Sequence, residues 1–118
     1  MPNHQDTKYK KKIFAIDIDN TICITSGSDY KNSKPIKSVI KIINKLKKNG
    51  HVIKLFTSRY MSKCDGNVKL INKKYKLITY KYVKSWGLNF DELIMGKPRY
   101  DFIIDDKSLN IKDLKKLL

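Results

Sequence analysis

Two carboxylates, Asp17 and Asp19, stand two residues apart where the apolar run Ile13-Phe14-Ala15-Ile16 gives out, and Asn20 and Thr21 follow at once. Alternate residues of a strand project to the same side. Both carboxylates can therefore serve one pocket, one as nucleophile or metal ligand and the other as proton carrier, which suits metal-assisted phosphoryl transfer. A charged turn would also account for the pair, since Asp and Asn favour such places. Three later segments shift the balance, because each ends an apolar stretch in polar residues: Thr57-Ser58-Arg59 after His51 to Phe56, Gly96-Lys97-Pro98-Arg99 after Glu92 to Met95, and Asp105-Asp106 after Tyr100 to Ile104.

These groups need elements that bring them together. Ile13 to Ile16, His51 to Phe56, Glu92 to Met95 and Tyr100 to Ile104 read as four short strands. Between the first two, Thr21 to Lys34 reads as a loop or small hairpin beside the paired aspartates. Val39, Ile42, Ile43 and Leu46 then give an amphipathic helix, with Pro35 in its first turn and Gly50 beyond its end. Val68, Ile71, Tyr75, Ile78, Tyr82 and Trp86 recur at steps of three and four, which predicts one helix over Asn67 to Trp86, stopped by Gly87. A short helix from Ile111 to Leu118 closes the chain. Strands alternating with helices imply a parallel sheet with right-handed crossovers, whose carboxyl ends share one edge where ligands bind. Asp17, Asp19, Thr57, Lys97, Asp105 and Asp106 all fall at that edge.

Acidic side chains gathered there repel one another unless a cation is present, and oxygen-only ligands suit magnesium. Asp17, Asp19, Asp105 and Asp106 are the candidate metal positions, with Asp17 and Asp105 the direct ligands and Asp106 acting through water. Thr57 can donate to a phosphate oxygen while Lys97 neutralises developing charge. Ser58, Arg59 and Arg99 complete the candidate substrate-binding set, since the planar fork of arginine matches phosphate.

At 118 residues the chain fits one domain, 13–118, preceded by a basic and flexible segment, 1–12. The hydrophobic share of 41% indicates a globular protein, and no apolar run approaches the ~20 residues of a membrane span. No export signal is visible, so the expected location is cytoplasmic, with no membrane partner. Cys23 and Cys64 lack metal-type spacing with His4 or His51 and are too few for a disulfide framework. The net charge of +15 raises nucleic acid as a partner, but the basic residues are nearly all lysine, a bias that an AT-rich coding sequence produces by itself.

Asp17-Ile18-Asp19-Asn20-Thr21, Thr57, Lys97 and Asp105-Asp106 resemble, in order, the motifs of the haloacid dehalogenase superfamily. DYKNSKP at 29–35, FTSRYM at 56–61, DGN at 65–67 and GKPRYDFIIDDK at 96–107 are more narrowly similar to its small capsule-biosynthesis phosphatases. The resemblance implies a three-layer α/β/α Rossmann-like domain with a mostly parallel sheet and no cap. It further implies a magnesium-dependent phosphomonoesterase: Asp17 attacks phosphorus to form an aspartyl phosphate, Asp19 serves as acid and then base, and Thr57 and Lys97 hold the phosphoryl group. The expected substrate is a small phosphorylated metabolite of the sugar phosphate kind. An open site, or a homo-oligomer that covers it, is expected where others carry a cap. Lys107 stands where arginine is expected and Arg99 where an aromatic is common, positions that bear on substrate recognition. Two alternatives stay open: a polynucleotide 3′-phosphatase that uses the lysine surface to track backbone phosphates, and a non-catalytic module that keeps the fold.

Overall fold

The computed structural model describes residues 10–118, so most of the basic segment 1–12 lies outside the described residues. In chain order the elements are β1 (Ile13–Ile16), β2 (Cys23–Ile24), a 3-10 turn (Tyr30–Asn32), β3 (Lys34–Pro35), α1 (Lys37–Lys48), β4 (Val52–Thr57), α2 (Val68–Lys74), α3 (Lys76–Ser85), β5 (Glu92–Met95) and a 3-10 helix (Ile111–Leu117). The chain is thus α/β, with a parallel sheet of order β1-β4-β5 and a small antiparallel pair, β2-β3. That pair closes the segment expected as a loop or small hairpin and runs one residue past it, to Pro35.

β4 holds the centre of the sheet. Its side chains alternate, so Ile53, Leu55 and Thr57 are buried while Lys54 and Phe56 are half-buried. Ile13 pairs with Val52 on one side and Thr57 with Met95 on the other, which brings the ends of β1, β4 and β5 level. α1 lays Ile40, Ile43 and Leu46 into the core. It begins two residues after Pro35, which belongs to β3 and not to the first helical turn as expected. The Ile36 amide is already committed to the Ile22 carbonyl at 2.8 Å, which fixes where the helix starts. At the other end Asn44 donates to the Gly87 carbonyl at 2.9 Å and accepts from the Asn89 amide at 2.7 Å, tying the turn before β5 to α1.

The single helix expected over Asn67 to Trp86 is two helices. Asn67 caps α2 by accepting from the Leu70 amide at 3.1 Å. Tyr75 then leaves helical geometry at φ −123°. Its ring stacks on Tyr60 at 4.0 Å, and its carbonyl accepts from the Thr79 hydroxyl at 2.8 Å, a back-bond of the kind that bends helices. The break turns the inward face by one residue, so Thr79 and Val83 are buried in α3 in place of Ile78 and Tyr82.

The segment Tyr100 to Ile104 is not a strand. It runs irregular and exposed, with Phe102 at 86% and Ile104 at 97% of full exposure. An apolar pattern makes a strand only where a partner edge is within reach, and Lys97 holds the start of this segment at the carboxyl end of the sheet through its amide bond to the Thr57 carbonyl at 3.0 Å. The closing helix is of 3-10 type, and Leu114 returns it to the core. Among the described residues no helix is long and apolar enough to cross a membrane.

Candidate active site

Past β1 the chain turns tightly around the Ile18 carbonyl, which accepts from the Ile22 amide at 2.9 Å and the Thr21 amide at 3.2 Å. Ile18 and Ile22 are fully buried, and this anchors the turn while Asp17 and Asp19 remain partly open. Asn20 takes a left-handed conformation at φ 60° and accepts from the Thr25 amide at 3.1 Å. Asn is among the few side chains that tolerate this geometry.

Each carboxylate meets a cation from a different strand. Asp17 Oδ1 lies 3.3 Å from Lys97 Nζ, beyond the end of β5, and Asp17 Oδ2 accepts from the Thr21 hydroxyl at 3.2 Å. Lys97 is only 7% exposed and donates to the Tyr100 hydroxyl at 2.8 Å. Burial works against its charge, but the Tyr100 hydroxyl and the Asp17 carboxylate outweigh that and hold its pKa above the ordinary lysine value.

Asp19 is gripped by Arg59, which follows the end of β4. Arg59 Nε donates to Oδ2 at 2.9 Å and Nη2 to Oδ1 at 2.8 Å, a bidentate pair, and the Thr25 hydroxyl donates to Oδ1 at 2.6 Å. Arg59 is 1% exposed. Its guanidinium lies 4.5 Å from the centre of the Tyr30 ring and donates to Ser33 at 3.1 Å, while Nη1 is buried without a hydrogen-bond partner. Burial opposes its charge, and the Asp19 carboxylate more than offsets this, raising its pKa above the ordinary arginine value. Tyr60 next to it has φ 68°, a strained backbone for an aromatic residue, held by its stack on Tyr75 and its edge contact with Tyr30.

Thr57 is buried at the end of β4, where its hydroxyl oxygen accepts from the Arg59 amide at 3.1 Å and leaves its own proton to donate. A cleft of about 460 Å³ opens beside these groups, lined by Asp19, Tyr30, Ser58, Tyr60, Lys63 and Arg99 among others. Arg99 reaches across it to the Ser62 hydroxyl.

The structure therefore brings together Asp17, Asp19, Thr57, Ser58, Arg59, Lys97 and Arg99 at one edge. It does not bring Asp105 and Asp106 there. Both are fully exposed and lean on each other, which holds the first below and pushes the second above the usual carboxylate range. Among the described residues no three His, Cys, Asp or Glu side chains gather as a metal cluster. His51 is buried by β1, with Nδ1 accepting from the Lys12 amide at 3.1 Å, and Cys23 and Cys64 are free thiols. The sequence pattern gave no part to Thr25, Ser33, Tyr60 or Tyr100; Ser33, Tyr60 and Tyr100 fall inside DYKNSKP, FTSRYM and GKPRYDFIIDDK, the one available signal.

No family model matches this chain, and no curated protein matches it. A crystal structure of a target protein from Vibrio cholerae is similar at a TM-score of 0.81 and 30% identity, covering 88% of this chain and 87% of that one. The chain belongs to the same family as that Vibrio cholerae protein. This kinship extends over nearly the whole fold.

Proposed function

We propose that this chain is a phosphomonoesterase of the haloacid dehalogenase type, with a three-layer capless domain, acting on a small phosphorylated metabolite such as a sugar phosphate. The observation that supports it most is the separate pairing of the two carboxylates, Asp17 with Lys97 and Asp19 with Arg59, at the level ends of three parallel strands. In the first step an Asp17 oxygen bonds to phosphorus as the ester oxygen leaves, and Asp19 supplies the proton that oxygen needs. In the second, water attacks the aspartyl phosphate, Asp19 takes back a proton, and phosphate departs. Lys97 and the Thr57 hydroxyl sit where they would hold the phosphoryl oxygens, with Ser58 and Arg99 on the cleft wall. Arg59 is sealed behind Asp19, so its part is to hold that carboxylate in place.

The donor set of one copy does not fit the magnesium ion expected from sequence. Among the described residues of one copy no three acidic side chains gather, and Asp105 and Asp106 are both exposed.

Phosphate release from sugar phosphates, nucleotides and 3′-phosphorylated oligonucleotides tests the proposal. Asp17→Asn changes little volume, so it should lower turnover by about 10³-fold or more while the far-ultraviolet spectrum and melting curve stay close to wild type. Unchanged turnover would remove Asp17 from its role. Oligonucleotide cleavage that falls steeply with salt would move the substrate to nucleic-acid ends, a reading favoured by the charge of +15.

A further inference from the structure

We infer that the exposed segment Tyr100 to Ile104 pairs with β1 of a second copy of this chain and carries its Asp105 and Asp106 into that copy's active site. Among the described residues β1 is bonded only to β4, so its outer edge presents unpaired backbone groups, and nothing between Ile13 and Ile16 blunts that edge with a charge or a proline. The molecule also carries a matching strand without a sheet. Phe102, Ile103 and Ile104 are exposed at 86%, 56% and 97%, far more than a solvated loop would choose. The two sequences run alike, Phe14-Ala15-Ile16-Asp17 against Phe102-Ile103-Ile104-Asp105. Laid in parallel with Ile104 beside Ile16, the segment ends with Asp105 beside Asp17.

A chain cannot make this pairing with itself while Lys97 stays in its site. Asp101 would have to lie level with Ile13, at least ~16 Å back along the strands, since Ile13 pairs with Val52 and Met95 with Thr57, and about three strand spacings, ~14 Å, across the sheet from β5. The straight distance is ~21 Å, whereas the four residues from Lys97 to Asp101 reach at most ~14 Å. A second copy removes the difficulty. For a segment that leaves the carboxyl edge of its own sheet and turns back against its own strands, a two-fold axis perpendicular to the strands makes that direction parallel to β1 of the other copy, and the exchange is then reciprocal and closed. Leu114 is buried on its own chain, so only the arm between Pro98 and Asn110 is exchanged. The partner's Asp105 then supplies the carboxylate that a single copy fails to bring to Asp17. Only this last point rests on the phosphatase proposal; the pairing itself does not.

Two measurements need no activity. Sedimentation of the full chain should give a dimer, and Phe102→Asp with Ile104→Asp should give a folded monomer, since both side chains are exposed within one copy. Ala15→Cys with Ile103→Cys, in a Cys64→Ser background, should form a disulfide between chains on mild oxidation. A monomeric wild type, or a disulfide within one chain, would overturn the exchange. The third measurement mixes Asp17→Asn and Asp105→Asn chains after partial unfolding and refolding. Hybrid dimers hold one intact site each, so about a quarter of the wild-type rate should return from two inactive parents. An active wild type with no recovery on mixing would overturn delivery of Asp105 across the dimer. An inactive wild type that still dimerises and cross-links would instead strike down the phosphatase proposal and leave the pairing standing.

Discussion

Arg59→Met is the substitution from which the structure predicts most. The guanidinium makes two hydrogen bonds to Asp19 and one to Ser33, lies over the Tyr30 ring, and is 1% exposed. Met fills much the same space but leaves a partly buried Asp19 with the Thr25 hydroxyl as its remaining side-chain oxygen donor. Breaking a fully buried pair costs about 3–5 kcal/mol. The Asp19 side chain is 23% exposed and can recover some hydration, so about 2–4 kcal/mol is the appropriate range. A domain of 118 residues unfolds with an entropy of about 0.25 kcal/mol/K, so the Tm should fall by about 8–16 °C. The assay is thermal unfolding followed by circular dichroism, repeated for Asp19→Asn and the double variant. A drop of less than about 3 °C, or a coupling between the two positions below about 0.5 kcal/mol, would show that the pair does not hold this corner of the site.

Two further outcomes follow from local geometry. Lys97 has its pKa raised by Tyr100 and Asp17 against the effect of burial, so its contribution to stability is whole below the unfolded lysine value of about 10.4 and is lost as pH climbs through the higher folded value. Tyr100→Phe should make that loss smaller and complete it at lower pH; superimposable curves of unfolding free energy from about pH 8 to 11.5 would count against the contact. Gly96 has φ +92°, and a Cβ there would lie 2.8 Å from Val68 Cγ1. Gly96→Ala should therefore cost about 2–4 kcal/mol, and adding Val68→Ala should restore only the steric part; a melting point unmoved by Gly96→Ala would refute this.

The strands that carry the site were readable because alternation and abrupt polar endings are local properties. Glu92 to Met95 forms as expected and the strand expected over His51 to Phe56 runs from Val52 to Thr57, and the convergence of Asp17, Thr57 and Lys97 follows from parallel order alone. The break at Tyr75 was not readable, since it depends on a stack against Tyr60, distant in sequence. Nor was the partner of Arg59. A planar fork suits phosphate and carboxylate equally well, and only the fold shows that Asp19 takes it. Tyr100 to Ile104 has the composition of a strand, but pairing depends on which edges the connection can reach.

Within one copy β4 is bonded along both flanks, whereas among the described residues β1 has a neighbour on one side only. Opening β4 requires both adjoining strands to let go, so its amides should be among the last to exchange with solvent, and those on the outer flank of β1 should be protected only while a second copy covers them. Thr57 and Arg59 thus rest on the firmest part of the molecule, and Asp17 follows a strand whose outer flank depends on the dimer. Separation of the copies on warming should loosen the aim of the nucleophile while the surrounding cradle is still intact, and activity should fade before the chain unfolds.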